Sequence, residues 1–247
     1  MNTVGISIAI PALDELGIVQ YVFTTRQNGL GARTQGIKQA DDWKRVAEAF
    51  GIAPDRLVTV NQVHGDTIRL VEQMNYRTMR SAEADAMITR ERGLAIGVET
   101  ADCVPILLVD PATPAVAAVH AGWKSTVEKI VQKTVAKMQA GFGSDPSRII
   151  AAIGPAIGPE CYEVDEPVMG PVRETFPFWK EVASPRTQGK WSLDLARLNR
   201  LELIQAGLPG INVYSFGLCT SCNPDLFYSF RREGRTGRML SAVMIKA

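Results

Sequence analysis

The sequence predicts a mixed α/β fold, with mixed β-sheets packed between helices in one domain spanning residues 1–247. Three observations lead there. Ile106-Leu107-Leu108-Val109 and Ala115-Val116-Ala117-Ala118-Val119 are short apolar runs separated by Pro111-Ala112-Thr113-Pro114. That pattern reads as strand, turn, strand, with both strands well buried. Val127, Ile130, Val131, Thr134, Val135 and Met138 recur at i, i+3, i+4 and i+7, the stripe of an amphipathic helix. Strands joined as hairpins are antiparallel, so an all-parallel doubly wound sheet does not fit.

The elements follow in order. Residues 4–10 and 18–24 read as the first two strands, joined by a polar turn. A tight loop comes next, because Asn28, Gly29 and Gly31 tolerate positive φ. Residues 41–50 form a helix, with Trp43, Val46, Ala47 and Phe50 at helical spacing and Gly51 as its stop. The alternation Leu57-Val58-Thr59-Val60 is a strand leading towards His64. Residues 67–71 continue extended, and 75–84 are polar and irregular. Met87-Ile88-Thr89 and residues 94–98 are further strands, the second running towards Cys103. Residues 123–141 form one helix. Residues 149–153 are a buried strand, 154–159 a rigid loop, 161–164 extended and 167–176 a helix. Residues 178–190 read as a surface loop. An amphipathic helix over 193–206 is stopped by Gly207, and 213–216 is a strand. Residues 226–230 read as an aromatic strand running into Arg231 and Arg232. Residues 234–238 read as a hairpin turn, and 240–245 as the last strand.

The composition suits a soluble globular chain: 46% hydrophobic and 21% charged over 247 residues. A formal net charge of +1 gives no electrostatic case for nucleic acid or an anionic membrane. No apolar run approaches the roughly 20 residues a membrane helix needs. Residues 1–17 lack a basic start, and Pro11, Asp14 and Glu15 interrupt their apolar stretch, so they make a poor signal peptide. Four cysteines do not suggest a disulfide scaffold. A cytoplasmic protein is expected.

The chain has two histidines, His64 and His120. In the central hairpin Cys103 sits at the start of the first strand and His120 at the end of the second, so the two ends meet. His64 also follows a strand, with Gly65 behind it. A histidine or buried cysteine by itself is usually a packed core residue. Three of them at strand ends form a set that can bind a transition metal. Zinc in catalytic sites takes three protein ligands and leaves a fourth position for water, whose pKa it lowers to about 7. The same Cys103 and His120 are also a possible nucleophile–base pair without metal. Asp85 could orient a histidine or cap a turn. Cys219 and Cys222 form a single CxxC, a motif that can bind zinc or cycle redox state; with no second CxxC and no helix just after it, they and Cys161 are read as structural thiols, the CxxC pair buried.

Several motifs resemble a known family. They are Asn61-Gln62-Val63-His64-Gly65, Ala84-Asp85-Ala86, Thr100-Ala101-Asp102-Cys103-Val104-Pro105, His120-Ala121-Gly122-Trp123, Ile153-Gly154-Pro155 and Ser229-Phe230-Arg231-Arg232. Together they resemble the YfiH/laccase-domain family, also called multicopper polyphenol oxidase or purine nucleoside phosphorylase, with a peptidoglycan-editing branch. The resemblance implies a fold similar to that of a Cys-His deamidating toxin. It implies Zn2+ on His64, Cys103 and His120, which are also the catalytic residues. It implies phosphorolysis of adenosine, inosine and methylthioadenosine, and deamination of adenosine. Arg26 matches the family's active-site arginine, although Asn28 and Gly31 replace a glycine and a serine of that motif. Lys124 stands where the family more often has arginine, keeping the charge without the bidentate geometry. Arg26, Lys124 and Arg231 are the expected contacts to substrate or phosphate, and strand alternation would aim one of Arg231 and Arg232 inward. Copper is disfavoured, because a multicopper centre needs many imidazoles and this chain has two. The alternative is a Cys-His hydrolase that removes L-serine-containing muropeptide precursors.

Overall fold

The computed structural model describes residues 10–27 and 36–247. Its helices are α1 (Pro11–Asp14), α2 (Gly36–Phe50), α3 (Trp123–Val127), α4 (Ile130–Phe142), α5 (Glu166–Thr175), α6 (Leu195–Gln205) and α7 (Phe230–Glu233). The strands up to the central hairpin are β1 (Val19–Phe23), β2 (Leu57–Val58), β3 (Ile68–Leu70), β4 (Ala86–Thr89), β5 (Ala95–Thr100), β6 (Val104–Asp110) and β7 (Ala115–Ala121). After it come β8 (Ile150–Ile153), β9 (Glu163–Val164), β10 (Ala183–Pro185), β11 (Trp191–Leu193), β12 (Val213–Ser215) and β13 (Met239–Ile245).

Two mixed sheets carry the molecule. One has the order β1-β13-β5-β2, the other β12-β8-β6-β7-β4-β3. Pairs β2–β5, β3–β4 and β8–β12 are parallel and the remaining pairs of these sheets antiparallel. A small third sheet runs β10-β11-β9.

Successive side chains of a strand point to opposite faces, and the packing follows that rule. On β6, Ile106 and Leu108 meet Ile130, Val135 and Met138 of α4 and Leu198 and Leu203 of α6. Leu107 and Val109, between them, meet Ile96 and Val98 of β5 and Val243 of β13. The four-stranded sheet in turn buries Ala95, Leu240, Ala242 and Met244 against Trp43, Val46, Ala47 and Phe50 of α2. The result is a helix–sheet–sheet–helix sandwich. Strands β6 and β7 are covered on both faces, so they read as continuous apolar runs instead of alternating ones.

Several expected elements differ. The stripe over 123–141 belongs to two helices, because Lys129 takes a left-handed φ of 60° between α3 and α4. The apolar spacing survives the break, so the pattern hid it. The aromatic stretch before Arg231 is not a strand: Ser229 caps α7, its hydroxyl accepting the Arg232 N–H at 3.3 Å. Gly234, with φ of 69°, ends that helix and does not turn a hairpin. Residues 178–190 contain β10, which pairs with β11. Pro11 opens a short helix within the expected polar turn; residues 4–9 of the expected first strand lie outside the described residues, as do Asn28, Gly29 and Gly31.

Gly97 lies mid-strand in β5, opposite Ala242. A Cβ there would sit 2.9 Å from Ala242 Cβ, 2.9 Å from the Ser241 carbonyl oxygen and 3.0 Å from Leu240 Cδ1. Two sheet neighbours and a core side chain must shift to admit one methyl group. Gly97→Ala is therefore expected to destabilise the chain by about 1–3 kcal/mol. The check is a urea midpoint that falls with an unchanged m value; an unchanged midpoint would show that the strand relaxes freely.

Candidate active site

The site forms where three strand ends converge. In the β6–β7 hairpin Pro105 is paired with His120, which brings Cys103 beside the end of β7. His64 arrives from β2. After Val58 the strand pairing is taken over by a side chain: Gln62 Nε2 donates to the Glu99 carbonyl at 2.8 Å, and Glu99 N–H donates to Gln62 Oε1 at 2.7 Å. This anchor fixes the loop that presents His64.

Asp85, fully buried just ahead of β4, then sets both histidines. Its carboxylate accepts the N–H groups of Val63 (3.2 Å), His64 (2.9 Å) and Gly65 (2.7 Å). Three consecutive amides aimed at one anion form a nest, which needs a left-handed residue. His64, at φ 61°, is that residue. Asp85 Oδ1 also lies 2.7 Å from His120 Nδ1. Burial alone would raise the Asp85 carboxyl, but the hydrogen bonds from His120, Gly65 and His64 outweigh it and hold it below the usual carboxylate range. The acceptor is therefore ionised, Nδ1–H of His120 donates, and Nε2 is left for the site. Asp85 both orients a histidine and caps a turn.

The donor atoms of His64, Cys103 and His120 all lie within 4.8 Å of one another. Cys103 Sγ is 3.8 Å from His64 Nε2, and the two imidazole rings stand edge-to-face at 82° with centroids 4.8 Å apart. Gly122 keeps the space open, since a Cβ there would lie 3.0 Å from His64 Cδ2 and 3.3 Å from Cys103 Sγ. One soft sulfur and two imidazoles, one of them fixed by a carboxylate, suit a borderline-soft cation such as zinc. Without metal the same groups form an ion pair. Burial opposes the charge on Cys103, but His120 and His64 overcome it and draw the thiol down to about 6. Burial likewise opposes the charge on His120, and Cys103 and Asp85 raise it to about 9.

The backbone next to Cys103 is strained. Asp102 has φ of 97°, a conformation that non-glycine residues rarely adopt. Three bonds hold it there: Thr220 Oγ1 donates to Oδ1 at 2.6 Å, Arg231 N–H donates to Oδ2 at 2.7 Å, and its carbonyl accepts Ile157 N–H at 2.9 Å.

A cavity of about 440 Å³ opens over the three residues. Its wall includes Gln62, Glu99, Trp123, Tyr162, Phe230, Arg231 and Arg238. Of the expected cationic contacts, Arg231 stands in that wall, its Nη1 donating to the Glu163 carbonyl at 2.7 Å and its guanidinium 5.2 Å from the Tyr162 ring centroid. Arg232 points elsewhere, donating to the carbonyls of Thr220, Ser221 and Phe227. Arg26 and Lys124 are not among the lining residues. Arg26 pairs with Glu233 at 3.0 Å and covers the Tyr228 ring, while exposed Lys124 lies over Trp123. Sequence reasoning missed Tyr162, Phe230 and Arg238 as parts of this wall. Asp102 stands directly before Cys103 in Thr100-Ala101-Asp102-Cys103, and its strained φ leaves no mark in the sequence.

Fold and site together define a layered α/β protein equipped to hold one metal ion over a cavity. Residues 17–246 match the family described as multi-copper polyphenol oxidoreductase laccase, and the chain belongs to that family. It is 35% identical over 239 residues to the purine nucleoside phosphorylase YlmD of Bacillus subtilis, covering 93% of this chain and 85% of that one. It is 34% identical over 223 residues to adenosine deaminase RL5 of an unknown prokaryotic organism, covering 83% and 84%. The crystal structure of YlmD from Geobacillus stearothermophilus superposes with a TM-score of 0.88 at 32% identity, covering 94% of this chain and 93% of that one. The likeness spans the whole sandwich, and the expected mixed α/β fold of this family is the one found.

In metal-stripped protein, alkylation of Cys103 by iodoacetamide is expected to accelerate as pH rises through about 6 and then level off, because the thiolate is already formed there. Asp85→Asn removes the carboxylate that keeps His120 charged, so the inflection should move up towards the ordinary thiol value of 9.0. Peptide mass spectrometry separates Cys103 from the other three cysteines. A wild-type inflection near 9 would show that the pair does not form.

Proposed function

We propose that this chain is a zinc-dependent purine nucleoside enzyme. It catalyses phosphorolysis of adenosine, inosine and methylthioadenosine to the free base and the sugar 1-phosphate, and deamination of adenosine to inosine. The observation that carries the proposal is the His64–Cys103–His120 group on the floor of the cavity, with Asp85 behind it. The names of the relatives supply the reaction classes. The two histidines supply imidazoles for one metal, not for a cluster.

His64 Nε2, Cys103 Sγ and His120 Nε2 are the ligands in this reading. Bound zinc supplies a Lewis acid and lowers the pKa of water at its open position. The protein supplies the rest. Asp85 keeps the proton on His120 Nδ1, so Nε2 stays directed at the site. Phe230, 58% exposed at the cavity wall, offers a face for a planar purine. Arg231 places a fixed cation where an anionic co-substrate enters, and phosphate is assigned to it. Arg26 and Lys124, held outside the wall, meet phosphate from the rim. In deamination water adds at C6, one of its protons passes to the ring nitrogen N1, and the other leaves with the departing amine as ammonia. In phosphorolysis a phosphate oxygen replaces the base nitrogen at C1′.

The remaining assignments follow the same chemistry. The partners are a nucleoside and phosphate, with neither nucleic acid nor membrane. Among the described residues no helix is long and apolar enough to cross a membrane. All four cysteines are unpaired thiols, which suits the reducing cytoplasm.

Purified protein is expected to convert adenosine to inosine without phosphate, and to release free base only when phosphate is present. Chelation, His64→Ala and His120→Ala should each abolish both reactions, since the ligands act as a unit. Asp85→Asn should cost about 10–100-fold in metal affinity or turnover. Turnover of a serine-bearing muropeptide that resists chelation and yields to iodoacetamide, with adenosine untouched, would replace this reading by the thiol hydrolase. The relatives named above lend that alternative no support.

A further inference from the structure

Outside the active site the fold assembles a second group of soft ligands. Cys161 stands on the loop after β8, and Cys219 and Cys222 on the loop after β12. The three Sγ atoms lie within 4.8 Å of one another, and those of Cys161 and Cys222 are 3.3 Å apart. The residues were expected to be structural thiols, the CxxC pair buried. The CxxC pair is not buried: Cys222 is exposed, and Cys219, like Cys161, is half-buried.

The surroundings are arranged for a thiolate. Cys219 Sγ accepts the backbone N–H of Gly158 at 3.2 Å and of Cys222 at 3.4 Å. Amides donating to sulfur favour its ionised form. Gly158 also makes room, since a Cβ there would lie 3.1 Å from Cys219 Cβ and 3.4 Å from its Sγ. The loops are tied by backbone as well: Ala156 bridges Cys219, and Thr220 N–H donates to the Ala156 carbonyl at 2.9 Å. Asn223 Nδ2 donates to the Cys219 carbonyl at 2.8 Å, closing the CxxC turn.

We propose that Cys161, Cys219 and Cys222 form a second metal site, in which three thiolates hold one Zn2+ and solvent takes the fourth position. Tetrahedral Zn–S bonds of about 2.3 Å place sulfurs about 3.8 Å apart, a spacing the present positions reach by small side-chain adjustments. Each ligating thiol releases its proton to solvent. The exposed side of Cys222 accounts for the solvent position.

The site has a structural consequence for the active centre. The loop of Cys161 carries Tyr162 of the cavity wall. The loop of Cys219 and Cys222 carries Thr220, whose hydroxyl holds the strained Asp102 beside Cys103. A metal here staples together the two loops that flank the active site.

The test counts zinc in anaerobically purified, reduced protein, and does not depend on any turnover. Wild type is expected to hold two zinc ions per chain. The double variant His64→Ala/His120→Ala, its fold checked by circular dichroism, should keep one, and adding Cys222→Ser should remove it. Cobalt loaded into the double variant should show a thiolate-to-metal charge-transfer band that disappears with Cys222→Ser. Should the double variant fail to fold, Cys222→Ser alone decides. It should take wild type from two zinc ions to one, and adenosine turnover, where wild type shows it, should persist. A folded double variant without zinc, a zinc content that Cys222→Ser leaves unchanged, or a Cys161–Cys222 disulfide in the reduced preparation would each overturn the proposal. Failure of the nucleoside reading would instead show as absent turnover with both zinc ions in place.

Discussion

The carboxylate of Asp85 is the interaction on which the candidate active site depends. It receives three successive backbone amides and one imidazole, four donors for one buried charge. Burying a carboxylate costs several kcal/mol unless hydrogen bonds replace its water. Here the replacement is complete, and it has two results. The loop at His64 is bent into a left-handed turn that the ring alone would not stabilise. The ring of His120, from a different strand, is held in one tautomer. A single anion thus positions two histidines that are 56 residues apart in the chain (64 against 120).

That arrangement needs a rigid frame, and the sandwich provides it. Strands β6 and β7 are buried on both faces, so neither can slip in register without exposing one set of apolar side chains and crowding the other. The pairing of Pro105 with His120 is therefore firmly set, and Cys103 inherits its position from it. The frame also supports the left-handed backbone at Asp102, pinned by Thr220, Arg231 and Ile157. Strain of this kind persists only where the surroundings over-determine it.

Two departures from the expected elements share one cause. An apolar stripe over 123–141 and an aromatic run over 226–230 describe side chains, and neither says anything of a backbone break or a cap. Lys129 interrupts the first without disturbing its apolar stripe. Ser229 ends the second by capping α7 with its own hydroxyl, so that Arg231 and Arg232 lie on a helix. The consequence was functional, because strand alternation was the argument for sorting Arg231 from Arg232. The helix also parts them, and it decides which is which: Arg231 stands in the cavity wall, and Arg232 ties the loop around Thr220.

The sequence by itself determined the mixed fold, the hairpin and the convergence of Cys103 with His120. These follow from local chemistry, since an apolar run, a proline turn and a second apolar run can pair in few ways. It also singled out His64, because a chain with two histidines leaves little choice. Only the tertiary structure decided what lies between distant segments. The dual role of Asp85, the place of Arg231 and the outward position of Arg26 depend on how loops cross sheet edges, which no periodicity encodes. The meeting of Cys161 with Cys219 and Cys222 is the plainest case. A lone cysteine carries no signal until β8 and β12 pair in parallel and bring the loops after them together. Contacts between the ends of neighbouring strands are a property of sheet order, and sheet order is settled by burial over the whole chain.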